Sequence, residues 1–300
     1  MNHPDFIADP ERSKPPETLA IIGVGMIGGS VAAAVKKNQL PYRILGVGRN
    51  ESRLQAAQQA GLIDEFTTDQ QEAARRAKLL IFCTPVDKIV AGILAVAQNC
   101  QPQTLVTDVG SIKEQIHREL AGKLPDDVTF IGSHPLAGSE KNGFEYAEPD
   151  LFQDRVCVIT PDEDSPAEML NRLSEFWQRL GMRVVEKSPE EHDQLLAVTS
   201  HLPHVLAGAL AVLLNDENRL FAASGFRDTT RIAASDPDLW TAIFLANQRS
   251  VSNQITHFQQ VLQEFQQAIE NGNASDLKNL LERAKTNRDL LDESHSVERS

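Results

Sequence analysis

His134 stands in the segment GSHPLAG, between small residues and a proline and directly after the apolar run VTFI. Ser111 stands in DVGSIK, which continues another apolar run. In an open parallel sheet, ligands bind beyond the carboxyl ends of the strands. Both side chains are therefore predicted at the reactive edge of such a sheet, where a neutral imidazole can accept a proton near pH 7. The alternative for His134 is a structural, hydrogen-bonded histidine.

A glycine-rich segment, IIGVGMIGGS, follows the first predicted strand and opens the first predicted helix. It places Gly23, Gly25 and Gly28 in the spacing G-x-G-x-x-G, which binds dinucleotides in this context. Gly23 would permit a tight turn, Gly25 would let a pyrophosphate approach the backbone, and Gly28 would let the helix pack on the strand. The free N–H groups at the helix start, at Met26 and Ile27, would meet the phosphates. The alternative is an ordinary glycine-rich turn.

The segment GVGRN bears on the choice of cofactor. NAD sites usually carry Asp or Glu about 20 residues after the glycines, where it binds the ribose 2′-hydroxyl. Here Gly48 and Arg49 occupy that place. An arginine suits a 2′-phosphate, so NADP is predicted in preference to NAD, and a solvated loop arginine is the alternative. Thr84 and Pro85, in the segment CTP that ends the third apolar run, are predicted to complete the cofactor site.

The segment SHLPHVLAG places His201 and His204 three residues apart. Pro203, between them, is expected to kink the helix because it lacks a backbone donor. No Cys or Glu with matching spacing lies nearby, so no metal site is predicted. One histidine is expected to face the cleft while the other packs.

Two arginines, Arg227 and Arg231, stand in GFRDTTRIAASDPDLW, in an otherwise acidic chain. Arginine binds carboxylates through a planar fork of donors, so both are candidate substrate ligands. The alternative is a surface ion pair through Asp228, which would contribute little.

Short apolar runs between residues 19 and 187 alternate with helical patterns. Most are of strand length and rich in Val and Ile, as expected of strands buried on both faces. The alternation predicts an α/β fold with a Rossmann-type, doubly wound, mostly parallel sheet. The runs are LAIIGV, RILGVG, KLLIFCT, TLVTDV, VTFIGS, RVCVIT and MRVVEK.

Beyond Ser188, the sequence predicts helices only. Ser188 followed by PEE is typical of a helix start, and a turn is predicted at NGNASD. The predicted parts are a flexible tail at 1–17, a dinucleotide-binding domain at 18–188 and an all-helical substrate and dimerisation domain at 189–300. One helix carries apolar residues at alternating spacings of three and four, which pack either within the domain or across a homodimer. These residues are Ile255, Phe258, Leu262, Phe265 and Ile269.

The formal charge of −13 argues against nucleic acid or an anionic membrane as a general partner. The three cysteines are scattered, so neither a disulfide framework nor a zinc site is indicated, and a reducing cytoplasm fits. The longest weakly polar run, LAIIGVGMIGGSVAAAV, is shorter than the roughly 20 residues that a membrane span needs. A cytoplasmic protein with a small-molecule substrate is therefore predicted.

At these residues the sequence resembles the prephenate/arogenate dehydrogenase family of tyrosine biosynthesis. The matching segments are IIGVGMIGGS, TDVGSIK, GSHPLAGSE, SHLPH and GFRDTTRIA, in the family's order. The resemblance implies a Rossmann-type domain followed by an all-helical dimerisation domain, and NAD- or NADP-dependent oxidative decarboxylation. Within this family, prephenate, converted to 4-hydroxyphenylpyruvate, is the expected substrate, because the sequence offers no identifiable acidic partner for the ammonium group of arogenate; arogenate, converted to tyrosine, is the alternative.

The resemblance also implies roles for single residues. His134 would be the catalytic histidine, and Ser111 its polar neighbour at the nicotinamide and the substrate. His201 would line the substrate pocket, and Arg231 would bind a substrate carboxylate. Two other interpretations are another NAD(P)-dependent reductase, which would not require the later histidine and arginine segments, and an NAD(P)-sensing binding protein. The predicted closeness of Ser111 and His134 argues against the sensor.

Overall fold

The computed structural model describes residues 16–138 and 141–297. Of the predicted tail at 1–17, residues 1–15 lie outside this range, and the first strand begins at Glu17. The chain forms two compact units that divide after Asn247. The predicted domain boundary after residue 188 stays a prediction.

The main sheet of the first unit has six parallel strands in the order β3-β2-β1-β4-β5-β6. This is the order of a doubly wound Rossmann sheet, which confirms the predicted fold class. The order reverses between β1 and β4, so the loops that follow these two strands open a crevice at the carboxyl edge. The strands are β1 (Glu17–Ile22), β2 (Tyr42–Val47), β3 (Glu65–Thr67), β4 (Leu79–Phe82), β5 (Thr104–Asp108) and β6 (Val128–Phe130).

The central strands are covered on both faces. All residues of β4 and β5 are buried, and so are the last four residues of β1. Along β1, Leu19 and Ile21 pack into the core on one face, and Ala20 and Ile22 pack into the core on the other. A continuous apolar run is what such a strand requires, because neither face meets water.

Five helices connect the strands of this sheet. Asn50 and Asp69 begin the second and third helices, where their side chains accept hydrogen bonds from backbone N–H groups of the first turn. The helices are α1 (Met26–Lys37), α2 (Glu51–Gln59), α3 (Gln70–Arg76), α4 (Val86–Val96) and α5 (Glu114–Leu120).

Two of the runs predicted for the main sheet lie elsewhere. Residues 155–160 and 182–187 contribute to a separate three-stranded sheet, in the order β7-β8-β9. Strand β7 runs antiparallel to β8, and β8 runs parallel to β9. The chain leaves the main sheet at Ile131, so β7 pairs with a strand that comes after it in sequence. The elements are β7 (Gly132–Pro135), β8 (Val156–Thr160), α6 (Ala167–Arg179) and β9 (Arg183–Glu186).

The described part of the chain after β9 is helical, as predicted. Ser188 begins the first of these helices with a capping box, in which its hydroxyl accepts the N–H of Glu191 and its own N–H binds the Glu191 carboxylate. A π-helical turn, Ala197–His201, lies just before Pro203. After β9, the α-helices that belong to the first unit are α7 (Pro189–Leu196), α8 (Leu202–Val212), α9 (Ser224–Thr230) and α10 (Pro237–Ala246). The second unit consists of α11 (Gln248–Glu270) and α12 (Ala274–Val297), joined by a turn at the predicted position.

The continuous run Pro189–Val212 is long and apolar enough to cross a bilayer, by length and composition alone, and it is the one such helix among the described residues. Core helices of globular proteins meet the same criterion. This run contains His192, Asp193 and His201, which are buried and hydrogen-bonded within the first unit. Those contacts identify it as a helix of the folded unit.

Candidate active site

The glycine loop after β1 lies against the end of β4. The N–H of Gly23 binds the carbonyl oxygen of Val47, and Gly23 adopts a φ of +101°, which favours glycine. A Cβ atom on Gly23 would lie 2.7 Å from the carbonyl oxygen of Cys83. The structure therefore brings the glycine loop and the CTP segment together at the point where the strand order reverses.

The start of α1 has the properties of an anion site. Gly25 is its N-cap, no side chain caps it, and its first turn contains no acidic residue. A Cβ atom on Gly25 would meet nothing within 4 Å, so the backbone is open to a ligand there. A Cβ atom on Gly28 would instead overlap the carbonyl oxygen of Gly23. Free N–H groups, an open approach and close packing behind them fit the pyrophosphate of a dinucleotide.

Two arginines with different surroundings follow β2, Arg49 in the loop and Arg53 in the first turn of α2. Arg53 binds the carboxylate of Glu145 at 2.9 Å and lies over the ring of Phe144. The exposed Arg49 makes no ion pair or hydrogen bond with any described residue. Asn50 accepts hydrogen bonds from Ser52 and from the N–H of Arg53, so its side chain caps α2. Arg49 is the cation of this loop that remains available to a ligand.

A buried ion pair supports the loop after β5. The ammonium of Lys113 binds the carboxylate of Asp108, and both side chains are fully buried. Asp108 also accepts the N–H of Gly110 at 2.7 Å, and its carbonyl oxygen accepts the Ser133 hydroxyl at 2.6 Å. These bonds connect the end of β5 to β7 one residue before His134. They bring the DVGSIK and GSHPLAG segments together, as predicted.

His134 is partly buried on β7, and a chain of polar contacts extends from its ring. Its Nδ1 lies 2.9 Å from Nε2 of His192, and Nδ1 of His192 lies 2.7 Å from Asp193 Oδ1. Asp193 also accepts the N–H groups of Lys113 at 2.8 Å and Glu114 at 3.0 Å. Among the described residues, none bonds to Nε2 of His134, which is the other edge of the ring.

The histidines of this cluster are neutral at pH 7. Burial first, and then the neighbouring His192 and Lys113, lower the pKa of His134 well below the usual 6.5. Burial, with a contribution from Lys113, lowers the pKa of His192 to about 3. Burial also lowers the pKa of His201 to about 4. An uncharged imidazole with an open ring nitrogen is the form that can accept a proton.

The helical half contributes a second group of aromatic and polar side chains. The amide nitrogen of Asn247 donates to the carbonyl oxygen of Asp193 at 2.8 Å and to Nδ1 of His201 at 3.2 Å. His201 therefore carries its proton on Nε2, and this buried donor has no partner among the residues that the structure describes. His204 stacks on Trp240, with ring centroids 3.3 Å apart. The prediction that one histidine faces a ligand and the other packs is compatible with this arrangement and stays a prediction.

The two predicted substrate arginines lie on the surface. Arg227 is in α9, and Arg231 follows it in a 3-10 turn that packs against α8. Neither forms an ion pair with a described residue, so the alternative of a pair through Asp228 is not observed. Besides burial, the charge of Arg231 lowers the pKa of His204, which places Arg231 beside the histidine group.

The remaining predicted residues lie around the same crevice. Thr84 has a buried hydroxyl that finds no hydrogen-bond partner in the described part of the chain, and Pro85 is the N-cap of α4. Ser111 is partly buried in the loop after β5, and no hydrogen bond is seen to its side chain within the described chain. Gly138 comes four residues after His134. A Cβ atom on Gly138 would lie 3.6 Å from Cε of Met26 and 3.4 Å from Cδ1 of Ile27. The first turn of α1 and the His134 loop are therefore in contact.

His192, Asp193 and Asn247 were not among the predicted site residues. One signal was present in the sequence. Asp193 precedes Leu196 and Ala197 by three and four residues, so a carboxylate falls on the apolar face of α7. A charge in that position requires partners inside the protein.

Comparison with known proteins identifies the family. The model of the prephenate dehydrogenase nucleotide-binding domain matches residues 31–186, and that of the prephenate dehydrogenase dimerization domain matches residues 188–283. The chain belongs to the prephenate dehydrogenase family. The resemblance drawn from the sequence motifs is thereby confirmed, and the protein is an oxidoreductase.

This chain is similar to dehydrogenases that are named after different substrates. The cyclohexadienyl dehydrogenase of Zymomonas mobilis is 35% identical over 258 residues, which are 84% of this chain and 88% of that protein. The crystal structure of prephenate dehydrogenase from Aquifex aeolicus, with hydroxyphenyl propionate and NAD+, has a TM-score of 0.86 and 31% identity, and covers 93% of this chain and 99% of that one. That of Synechocystis arogenate dehydrogenase has a TM-score of 0.79 and 30% identity, and covers 91% and 99%.

Two glycine variants test the anion site. Gly25→Ala places its Cβ in open space, so the free energy of unfolding should change by less than about 0.5 kcal/mol, while the affinity for a nicotinamide dinucleotide falls about tenfold or more. Gly28→Ala creates a backbone overlap and should lower the free energy of unfolding by about 1–3 kcal/mol. Urea unfolding and calorimetric titration with NAD+ and NADP+ measure both quantities. Unchanged dinucleotide affinity in Gly25→Ala would contradict the assignment.

Proposed function

We propose that the protein oxidatively decarboxylates prephenate to 4-hydroxyphenylpyruvate and transfers a hydride to a nicotinamide cofactor. The observation that carries this proposal is the neutral imidazole of His134, which has an open Nε2 and stands in a loop that approaches the first turn of α1 at Gly138. Membership in the prephenate dehydrogenase family and the fit of the glycine loop to a dinucleotide support it.

His134 acts as the base in this reaction. Its Nε2 accepts the proton of the ring hydroxyl of prephenate, since burial keeps the ring uncharged. A bound nicotinamide supplies the acceptor for the hydride that leaves the hydroxyl-bearing carbon. The ring double bonds link the ketone that forms to the carbon that bears the carboxylate. CO2 therefore leaves from that carbon, and the electron pair of the broken C–C bond enters the ring. The ring oxygen regains a proton, and a phenol results.

The other predicted residues hold the two ligands. The first-turn N–H groups of Met26 and Ile27 bind the pyrophosphate, and Thr84, Pro85 and Ser111 border the nicotinamide. The unpaired Nε2–H of His201 supports a role as a donor to the substrate.

The unpaired cations of the helical half bind the acidic groups of the substrate. Arg231 binds a substrate carboxylate, and Arg227 adds positive charge nearby. Their lack of ion pairs within the described chain leaves both guanidinium groups free for this purpose.

Prephenate is the preferred substrate, and arogenate is the alternative. Arogenate carries an ammonium group where prephenate carries a keto group, so it would favour a free carboxylate in the site. Asp108 and Asp193, the buried carboxylates nearest to His134 among the described residues, are each satisfied by protein donors. Neither is available to an ammonium group.

A homodimer would cover apolar surface that the single chain exposes. Four apolar residues, one at the end of α8 and three in the segment that follows it, are each more than 70% exposed. Such exposure is unusual for side chains of this size. Leu262 and Ile269 of the predicted apolar seam on α11 are 50% and 63% exposed. The match to a dimerization domain supports this assembly. The four residues are Val212, Leu213, Leu220 and Phe221.

The cytoplasm is the proposed location. All three cysteines are free, as expected in a reducing compartment.

Initial rates with prephenate and arogenate, each with NAD+ and NADP+, test the activity. We expect reduced cofactor and CO2 in equal amounts, with prephenate preferred.

His134→Asn should lower kcat about 10²–10⁴-fold and leave dinucleotide affinity unchanged, because only the proton acceptor is lost. His257→Asn, on the exposed side of α11, is the matched control and should retain wild-type kcat. Dinucleotide binding without turnover would favour a sensor, and near-normal kcat in His134→Asn would remove this histidine from the mechanism.

The cofactor preference is tested at Arg49. A charge-assisted contact to a 2′-phosphate contributes about 1.5–3 kcal/mol, so kcat/KM should favour NADP+ over NAD+ roughly ten- to a hundred-fold. Arg49→Ala should abolish most of this ratio by weakening the use of NADP+. Arg53→Ala is the comparison, because that guanidinium already binds Glu145. Equal or better use of NAD+ by the wild type would contradict the preference, and an unchanged ratio in Arg49→Ala would show that another group causes it.

A further inference from the structure

We propose that Asp193 and His192 are positioning residues that set the tautomer of His134, so that its Nε2 carries the lone pair that accepts the substrate proton. The inference rests on the proposed role of His134 as the base. It assigns a function to two residues that touch neither substrate nor cofactor, and it follows from the directions in which hydrogen bonds can run through the chain His134–His192–Asp193.

Asp193 fixes the direction of the first bond. Its Oδ1 accepts the N–H of Lys113 and its Oδ2 accepts the N–H of Glu114. Backbone N–H groups can only donate, and an ionised carboxylate can only accept. The remaining contact, from Oδ1 to Nδ1 of His192 at 2.7 Å, therefore requires that His192 donate from Nδ1.

His192 passes this direction to His134. The ring of His192 is fully buried and uncharged, so it carries a single proton, which lies on Nδ1. Its Nε2 is then an acceptor. The 2.9 Å contact with Nδ1 of His134 requires that His134 donate from Nδ1.

The consequence appears at the open edge of the His134 ring. A neutral imidazole with its proton on Nδ1 has its lone pair on Nε2. This is the edge without a protein partner among the described residues, and it is therefore the edge that can face a ligand. The opposite tautomer would present an N–H group to the substrate hydroxyl and could not take its proton.

The surrounding structure keeps the relay rigid. The capping box at Ser188 begins the helix that carries both relay residues, and Asn247 binds the carbonyl oxygen of Asp193. The backbone N–H groups that hold Asp193 belong to the residues at the start of α5.

The relay also stabilises the product of proton transfer. When Nε2 of His134 takes the proton, the ring becomes positively charged and its Nδ1–H still donates to His192. The carboxylate of Asp193 lies on the far side of His192 from His134, and its negative charge favours the positive charge on the His134 ring. The arrangement follows the logic of a catalytic triad, in which the carboxylate orients the base without itself becoming protonated.

The wild-type protein tests the assignment directly. Nitrogen NMR of protein labelled with ¹⁵N-histidine distinguishes protonated from unprotonated ring nitrogens, and the signals of His134 are identified by their loss in His134→Asn. At pH 7, without substrate, we expect a proton on Nδ1 and an unprotonated Nε2. A proton on Nε2 of His134 would overturn the proposal, whatever the enzyme's substrate proves to be.

Paired variants at one position separate positioning from stability. Gln at position 192 can accept from His134 through its carbonyl oxygen while its amide donates to Asp193, so His192→Gln should keep the tautomer and lower kcat less than about tenfold. His192→Leu ends the relay and should populate the Nε2–H tautomer, with kcat lowered about 10- to 10³-fold and KM little changed. Equal NMR signals and equal kcat in the two variants would contradict the proposal.

A second buried histidine provides the matched control. His117 pairs through Nδ1 with the carboxylate of Asp162 at 2.9 Å, so His117→Leu removes a histidine–aspartate contact of the same kind. We expect the His134 tautomer to be unchanged in this variant. A tautomer that shifts equally in His117→Leu would show that general loss of packing, and not the relay, controls it. If the tautomer is as predicted but prephenate is not oxidised, the relay stands and the proposed substrate fails.

Discussion

The hydrogen bonds that surround the buried carboxylate of Asp193 are the interactions on which the rest of the site depends. A charge in the protein interior is costly unless hydrogen-bond donors surround it. Here Lys113, Glu114 and His192 provide three donors, and each comes with a structural consequence. The N–H groups of Lys113 and Glu114 belong to the loop and the helix that follow β5, so their hydrogen bonds to Asp193 connect α7 to the edge of the main sheet. The third belongs to the ring that contacts His134.

The cofactor side depends on a different constraint, the close approach of backbone segments. Gly23 and Gly28 leave no room for side chains between β1, α1 and the end of β4, whereas Gly25 faces open space. The His134 loop approaches the first turn of α1 at Gly138, next to the candidate anion site. The fold thus sets the separation between the candidate anion site and the His134 loop.

The parts that sequence alone predicts are those encoded by neighbouring residues. The glycine spacing, the buried strands of the main sheet and the helix start at Ser188 are each encoded within a few residues, and the structure confirms them. The short, polar β3 and α3 lack such a signal. Strands β8 and β9 have a strand-like pattern, but their partners depend on contacts between distant segments, and the prediction of a single sheet was wrong for them.

The candidate site shows the same division. Segment motifs predicted that the His134 and Ser111 loops meet, because parallel strands end at one edge of a sheet. They did not predict His192, Asp193 or Asn247, whose roles arise only when α7 packs against the loop after β5 and Asn247, at the end of α10, binds α7. Asp193 on an apolar helix face was the single local indication of this network.

The pH dependence of kcat/KM is the most direct test of the central claim that His134 is held neutral as the base. Burial first, and then the neighbouring His192, Lys113 and His201, lower the pKa of His134. His134 accepts a proton only when neutral, so activity should stay constant as the pH falls from 7 and decrease only when the pH passes through this lowered pKa. The midpoint of the acid limb should therefore lie below 6.5, and His134→Asn should lack that limb. An acid midpoint at or above 6.5, or the same limb in His134→Asn, would contradict the account.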